Sequence, residues 1–440
     1  MKLPMSRNSR VLARLRTITP GFYRESVVKN AVYLQASNIV MSVMGFVFWT
    51  LAAREFPKSE VGIATVILTS ASLISSIGVL GLDSSLVRFL PTSEEPQEHF
   101  AATLSLTLAA SLVAGVGYLA LAPTLSHQLR LLADDWTHAI GFLGFTSTIV
   151  ACAVLQSTFI AKRRALMVII SNSLFSVLKI CILPLLIALG TFGIVMAGWG
   201  ALLVSLVFGA VAVRKLFGLR FQLTRHFSAL RRVRAYASSL FAGGMISSIV
   251  VAAIPIIVLD RLGAAAAADY YIVLSLATIL HILASTTGQS LLAEGSHSQR
   301  LLHSTFRRAS IHIFSILVPL ALIYILFGHY LLLIFGQSYA AQGTGLLRIL
   351  AAASPLVALN YLGNTLANIR RMNKLFVAIS SFNALLIILF SFLLVGQGLD
   401  GLGLAWLMAQ AATVMAYAVV FRHELGAFVR GDDATSHTTT

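Results

Sequence analysis

Charge is what this 440-residue chain has little of: Asp, Glu, Lys and Arg make up 11% of it, where a soluble domain carries about 25%. A water-facing surface cannot be built from so few charges, and with 58% apolar residues a disordered chain is excluded as well. Cysteine is nearly missing. Cys152 and Cys181 both lie inside apolar runs, so no disulfide framework or cysteine metal cluster is on offer. Period-two alternation is absent from the apolar runs, which excludes a transmembrane β-barrel. A strand-borne phosphate loop is absent too: Gly396-Gln397-Gly398 and Gly401-Leu402-Gly403 resemble a nucleotide fingerprint only as text, without a βαβ context. Neither a metal nor a cofactor is expected, and the short connections leave no room for an extramembrane catalytic domain.

What the chain has is long apolar runs, with a mean hydropathy of +0.86. A spanning helix needs roughly 20 apolar residues. By that measure there are twelve spans, at 31–53, 61–82, 101–122, 139–160, 165–189, 192–213, 235–258, 270–293, 309–335, 346–367, 375–395 and 399–421. The expected fold class is an all-α polytopic membrane protein. The first run is too long for a signal-peptide core and reads as a retained helix. Alternate segments hold 26 of the 32 Lys and Arg residues if the N-terminus is cytoplasmic, against five at the other ends and Lys179 within a helix. The positive-inside rule then puts both termini in the cytoplasm and the protein in the cytoplasmic membrane. The net charge of +16 is thereby a topology signal, and no nucleic-acid partner is expected. The connection at 83–100 is the exception on that side, with Arg88 beside Glu94, Glu95 and Glu98.

The chain also repeats itself. A shift of 207 residues pairs Arg54 with Arg261, Gly81 with Gly288, Thr158 with Thr365, Arg163-Arg164 with Arg370-Arg371 and Trp199 with Trp406. Ungapped matches over so long a stretch predict two homologous six-helix bundles in the same orientation. The expected divisions are a basic cytoplasmic segment 1–29, a first bundle 30–213, a basic linker 214–234, a second bundle 235–421 and a polar, disordered cytoplasmic tail 422–440.

Polar groups inside the spans are the candidate site residues, because they are costly unless they face a bundle interior or a wet cavity. Lys179 lies near mid-span, where a charge costs about 2.5–3.5 kcal/mol on insertion scales, with Asn172 and Ser176 on its face of the helix. Further stripes are Gln35, Asn38 and Ser42; His281, Ser285 and Gln289; Asn360, Asn364 and Asn368; and Gln410, Thr413 and Tyr417. Each alone reads as helix–helix bonding, and together, standing in both bundles, they predict a polar cavity between them. Pro184, Pro255, Pro319 and Pro355 read first as static kinks. Arg88 has two readings, a salt bridge to Asp83 or a phosphate contact at the cytoplasmic mouth.

Several segments resemble a known family. Asn30-Ala31 through Gly45-Phe46, Ala52-Ala53-Arg54, Glu60-Val61-Gly62, the run Gly81 through Pro91, and Asp260-Arg261 through Asp269-Tyr270-Tyr271 look like the polysaccharide transporters of the O-antigen flippase type. That family sits in a superfamily with the multidrug and toxin extruders and the lipid II flippases. The resemblance implies a V-shaped pair of bundles around a central cavity, rocking between an inward and an outward opening. It implies as cargo a polyprenyl-pyrophosphate-linked oligosaccharide, flipped to the outer leaflet for surface polysaccharide synthesis, with membrane lipids and polysaccharide synthesis or polymerase enzymes as partners. On that reading Lys179 offsets anionic charge and Arg88 catches the headgroup. Gln35, Asn38, Asn172, Gln289, Asn360 and Asn364 bond sugar hydroxyls. A coupling proton or sodium is open, with His281 the group able to carry protons. Two rivals stand beside it. A multidrug cation antiporter would want a buried carboxylate, and the sequence places Asp83 and Glu294 only at span ends. A polytopic polymerase or glycosyltransferase would want acid/base groups held on a sizeable outer loop.

Overall fold

Backbone N–H and C=O groups cannot stay unpaired in a bilayer, so an apolar run of spanning length folds as a helix. In the computed structural model of the protein every such run is one. The structure describes residues 7–231, 233–297, 302–370 and 372–422, with side chains from residue 29 onward except at scattered positions that include 287–290 and 292–305. The expected disordered tail and the side chains of Gln289 and Glu294 lie outside the described residues.

The first half consists of α1 (Arg7–Glu55), α2 (Lys58–Val79), the short α3 (Leu82–Phe89), α4 (Pro96–Leu125), α5 (Trp136–Ala161), α6 (Ala165–Ile182) and α7 (Thr191–Phe217). The second consists of α8 (Arg234–Leu262), α9 (Ala264–His297), α10 (Leu302–Leu333), α11 (Gln337–Ile369), α12 (Asn373–Leu394) and α13 (Gly398–Val420). No strand occurs among the described residues. Eleven stretches are long and apolar enough to cross a membrane, and the last, Lys374–Val420, contains both α12 and α13. The chain thus makes the expected twelve passes. Helix α1 differs from expectation: it starts at Arg7 and carries the basic N-terminal segment with it, because extending a formed helix is cheap. Helix α6 continues past Pro184 as a 3-10 turn, Leu183–Leu189. Asp135 caps α5 by accepting the Thr137 N–H at 2.8 Å, a bond that holds its carboxyl below the usual range.

Alternating passes give the molecule two ends. One, the basic side, carries the connections 80–95, 162–164, 218–233 and 370–372; the other, the far side, carries 56–57, 126–135, Gly190, Gly263, 334–336 and 395–397. The same shift of 207 lays α2 on α9, α4 on α10, α5 on α11, α6 on α12 and α7 on α13, and brings the end of α1 at Glu55 onto the end of α8 at Leu262.

The halves meet along α2, which packs on both α8 and α9. Their closest approach is at Gly62, where a Cβ would stand 1.7 Å from the Ala264 carbonyl oxygen. At the basic end Leu80 and Gly81 both take left-handed conformations, turning the chain from α2 into α3. Gly81 is held there twice over, since a Cβ would also lie 2.4 Å from the Ala237 carbonyl oxygen of α8. On the far side one continuous apolar core runs through both halves, joining Phe48, Ala64 and Ile67 to Val258, Leu259 and Ala268. Toward the basic side the first half keeps a separate core around Phe100, Leu104, Val154 and Phe159.

Candidate functional site

Where the two halves are not fused, a cavity of about 530 Å³ lies between α2, α3 and α5 of the first half and α8 of the second. Its polar lining is hydroxyl: Ser72, Ser75, Ser76, Ser84 and Ser248, with Asp83 its one carboxylate. Four of these serines donate to their own helices, Ser72 to Leu68 O at 3.0 Å, Ser75 to Ala71 O at 2.7 Å, Ser76 to Ser72 O at 3.0 Å and Ser248 to Gly244 O at 3.1 Å. The i to i−4 bond is how a mid-helix serine satisfies its proton in an apolar surround. None of these serines is among the residues the sequence singles out, although Ser72 and Ser76 stand one turn apart on one face, the same spacing that marks the amide stripes.

A second cavity of about 520 Å³ lies inside the second half, among α8, α9, α11, α12 and α13. Here seven of the stripe residues, His281, Ser285, Asn360, Asn364, Asn368, Gln410 and Thr413, come together, joined by Asn383 and Trp406, and they do so within one half where the stripes predict a cavity between the two. The Asn360 amide donates to Gln410 Oε1 at 2.5 Å, Asn383 donates to Thr413 Oγ1 at 2.7 Å, and the Tyr417 hydroxyl donates to Asn364 Oδ1. The His281 ring lies face to face with Trp406, 5.8 Å between centroids and 8° from parallel. Among the described residues lining it there is no Asp, Glu, Lys or Arg.

The remaining expected residues stand elsewhere. Asn172 is buried and fully employed: it donates to Ser37 Oγ at 2.9 Å and accepts from Gln156 Nε2 at 3.0 Å, tying α6 to α1 and α5. Lys179 is half-buried with its ammonium 4.9 Å from the ring centres of both Phe48 and Phe175, and lines neither cavity. Gln35, Asn38 and Ser42 share one exposed face of α1. Arg88 is exposed and forms no ion pair with Asp83; its guanidinium lies over Tyr236 of α8, 4.6 Å from the ring centre.

One pairing was not anticipated from the sequence. On the far side Lys58 of α2 meets Asp269 of α9 at 2.6 Å, and the same ammonium donates to the Ser338 carbonyl at 3.2 Å and lies 4.7 Å from the Tyr339 ring centre. Arg54 adds a bond to the Ile334 carbonyl at 2.9 Å. Asp269 is 3% exposed. Asp269 stands in the second turn of α9, which begins at Ala264, six residues before the apolar run, and the paired lysine makes the burial of this near-end carboxylate tolerable. A signal was present, since opposite charges stand near matching ends of two helices that the repeat makes counterparts.

Residues 27–292 match the family model for polysaccharide biosynthesis proteins. The chain belongs to that family. The matched stretch spans the first half from residue 27 onward together with α8 and most of α9, and so includes every residue lining the cavity between the halves. No protein of curated function matches in sequence. Among solved structures, the chain resembles the lipid II flippase MurJ in an inward closed conformation, with a TM-score of 0.71 at 12% identity over 89% of this chain and 87% of that one. It resembles an inward-facing multidrug resistance MATE family transporter of the MOP superfamily, with a TM-score of 0.66 at 16% identity over 92% and 99%. A MOP superfamily transporter from Pyrococcus furiosus, described as having a binding pocket of reversed polarity, gives 0.51 at 16% over 92% and 96%. At these identities the likeness is one of fold. The family member described here is a multi-pass membrane protein with a transporter fold.

Proposed function

We propose that the protein is a flippase that carries a polyprenyl-pyrophosphate-linked oligosaccharide from the inner to the outer leaflet of the cytoplasmic membrane, for surface polysaccharide synthesis. It works by alternating access of two six-helix bundles, 30–213 and 235–421, with the basic side and both termini in the cytoplasm. The observation that carries this reading is the hydroxyl-lined cavity between the halves, set within the stretch that matches the polysaccharide biosynthesis family. A sugar headgroup sheds its water only where other hydrogen-bonding groups replace it, and neutral oxygens do so without fixing one sugar. The exposed guanidinium of Arg88, beside the cavity, suits the pyrophosphate. The apolar carrier tail stays in the bilayer.

The test is protein-dependent leaflet exchange. Liposomes carry a fluorescent polyprenyl-pyrophosphate oligosaccharide, and a membrane-impermeant quencher reports how much label stays protected. Exchange in protein-containing vesicles and none in empty ones is the expected result. No exchange by folded protein would overturn the reading.

Export of organic cations in antiport is the second reading, and Asp83 in the cavity together with buried Asp269 favours it. Ethidium efflux driven by a proton or sodium gradient, abolished by Asp83→Asn, would establish it instead.

A further inference from the structure

The two halves share one backbone plan, so positions related by the shift of 207 show what each half has added. Positions where the second half carries a polar or aromatic group and the first an apolar or smaller one include six at or beside its cavity. His281 stands for Ile74, Asn360 for Ala153, Asn383 for Ser176, Gln410 for Leu203, Thr413 for Leu206 and Tyr417 for Ala210. All but Tyr417 line the second-half cavity, and Tyr417 bonds to Asn364 in its wall. The first half folds without these groups, so the fold does not require them.

The tryptophan pair sharpens the contrast. Trp199 of α7 donates its indole N–H to Thr148 Oγ1 at 3.1 Å. Its counterpart Trp406 finds Pro355 where that threonine would be, and its Nε1 has no protein partner. His281 Nε2, on the ring stacked against it, and Asn360 Oδ1 are likewise buried and without partners. Such groups are costly to leave unpaired. All three belong to residues that line a single cavity of a size that holds small ligands, and lie just beneath its surface, so a ligand meets them once those side chains turn.

We infer that the second-half cavity is a saccharide subsite, taking one neutral, hydroxylated sugar unit of the cargo against Trp406, His281 and Asn360. An indole N–H calls for an acceptor and an amide oxygen for a donor, and a sugar hydroxyl is both. The absence of Lys, Arg, Asp and Glu from the described lining residues disfavours phosphate and organic cations alike. Trp406, partly exposed, offers an apolar face for the C–H side of a pyranose ring. This inference rests on the flippase reading and locates its cargo's sugar.

The test grafts the first half's residues onto the second: His281→Ile, Asn360→Ala and Gln410→Leu together, with Asn360→Ala alone as a milder variant. Each is assayed for exchange of a fluorescent polyprenyl-pyrophosphate linked to a short neutral hexose oligosaccharide. Intrinsic fluorescence on adding the free oligosaccharide is followed in the parent and in Trp406→Phe. The triple variant should slow exchange about tenfold or more and Asn360→Ala should slow it less, on the worth of the hydrogen bonds removed. The fluorescence change should be lost with Trp406. A parent that exchanges the lipid while folded variants match its rate, with fluorescence unmoved by sugar, would overturn the subsite and leave the flippase standing. A parent that exchanges none would overturn both.

Discussion

Asn172 and Lys179 stand two turns apart on α6, and the surroundings of each decide what its loss should cost. The Asn172 amide has both ends bonded inside the first half, to Ser37 and Gln156. Asn172→Leu leaves those partners buried and unpaired, at about 1–3 kcal/mol. The melting temperature should fall while exchange per folded molecule is kept. Lys179 has aromatic faces for company and no carboxylate. Lys179→Met removes a cation–π contact worth about 0.5–2 kcal/mol and alters neither cavity, so the exchange rate should stay within about twofold, a change of less than half a kcal/mol in the barrier. A large loss of exchange in Lys179→Met would return that residue to the transport path.

At the scale of helix pairs, the crossing of α2 and α9 is unequal although the two are counterparts. The position matching Asp269 is Gly62, and the one matching Lys58 is Ala265. One arm of the crossing is therefore a buried ion pair and the other a backbone contact at Ala264. Lys58→Met would strand the Asp269 carboxylate, and removing one partner of a buried pair costs about 3–5 kcal/mol. The variant should melt earlier and label faster at a cysteine placed at Ser338, while Lys58→Asp with Asp269→Lys should restore much of both. Gly62→Leu should also raise that labelling, because its side chain can be seated only if the helices part.

Periodicity made the helices legible before this crossing. The twelve spans follow from run length alone, and the repeat follows from landmarks such as Trp199 and Trp406. The amide stripe of α11 was readable as one face of a helix, and His281, Asn360 and Asn364 do meet. What run length cannot carry is which faces oppose which. Lys58 and Asp269 are some two hundred residues apart, and only the packing of the halves joins them. The serines of α2 were passed over because a hydroxyl within an apolar run looks satisfied, as its proton is; its oxygen is what the cavity uses. Helix α3 was concealed by its brevity, eight residues between two longer spans.

For the whole molecule, the placing of the two cores indicates how it moves. Apolar packing across the halves is extensive on the far side and small on the basic side, where Leu82 of α3 and Ala102 of α4 join Ala237 of α8 beside the first half's separate core. An opening on the far side must therefore separate buried apolar surface as well as the Lys58–Asp269 pair. The orientation is open to direct measurement. A cysteine at Ser228, on the basic linker, should react with an impermeant maleimide only in inside-out vesicles. One at Gln128, in the far-side connection, should react only in right-side-out ones. The reverse pattern would invert the proposed direction of transport.

The serine protons of the cavity between the halves are already spent on helix carbonyls, and from this its manner of grip follows. Four of its five hydroxyls turn lone pairs, and no hydrogen, toward whatever enters. Such a wall accepts and does not give. On the proposed function it would hold a glycan by the glycan's own hydroxyl hydrogens, whatever the order of its sugars. A permethylated headgroup of the same size and shape, with every hydroxyl hydrogen replaced, should find only the Ser84 hydroxyl there to bond and should cross many times more slowly than its parent.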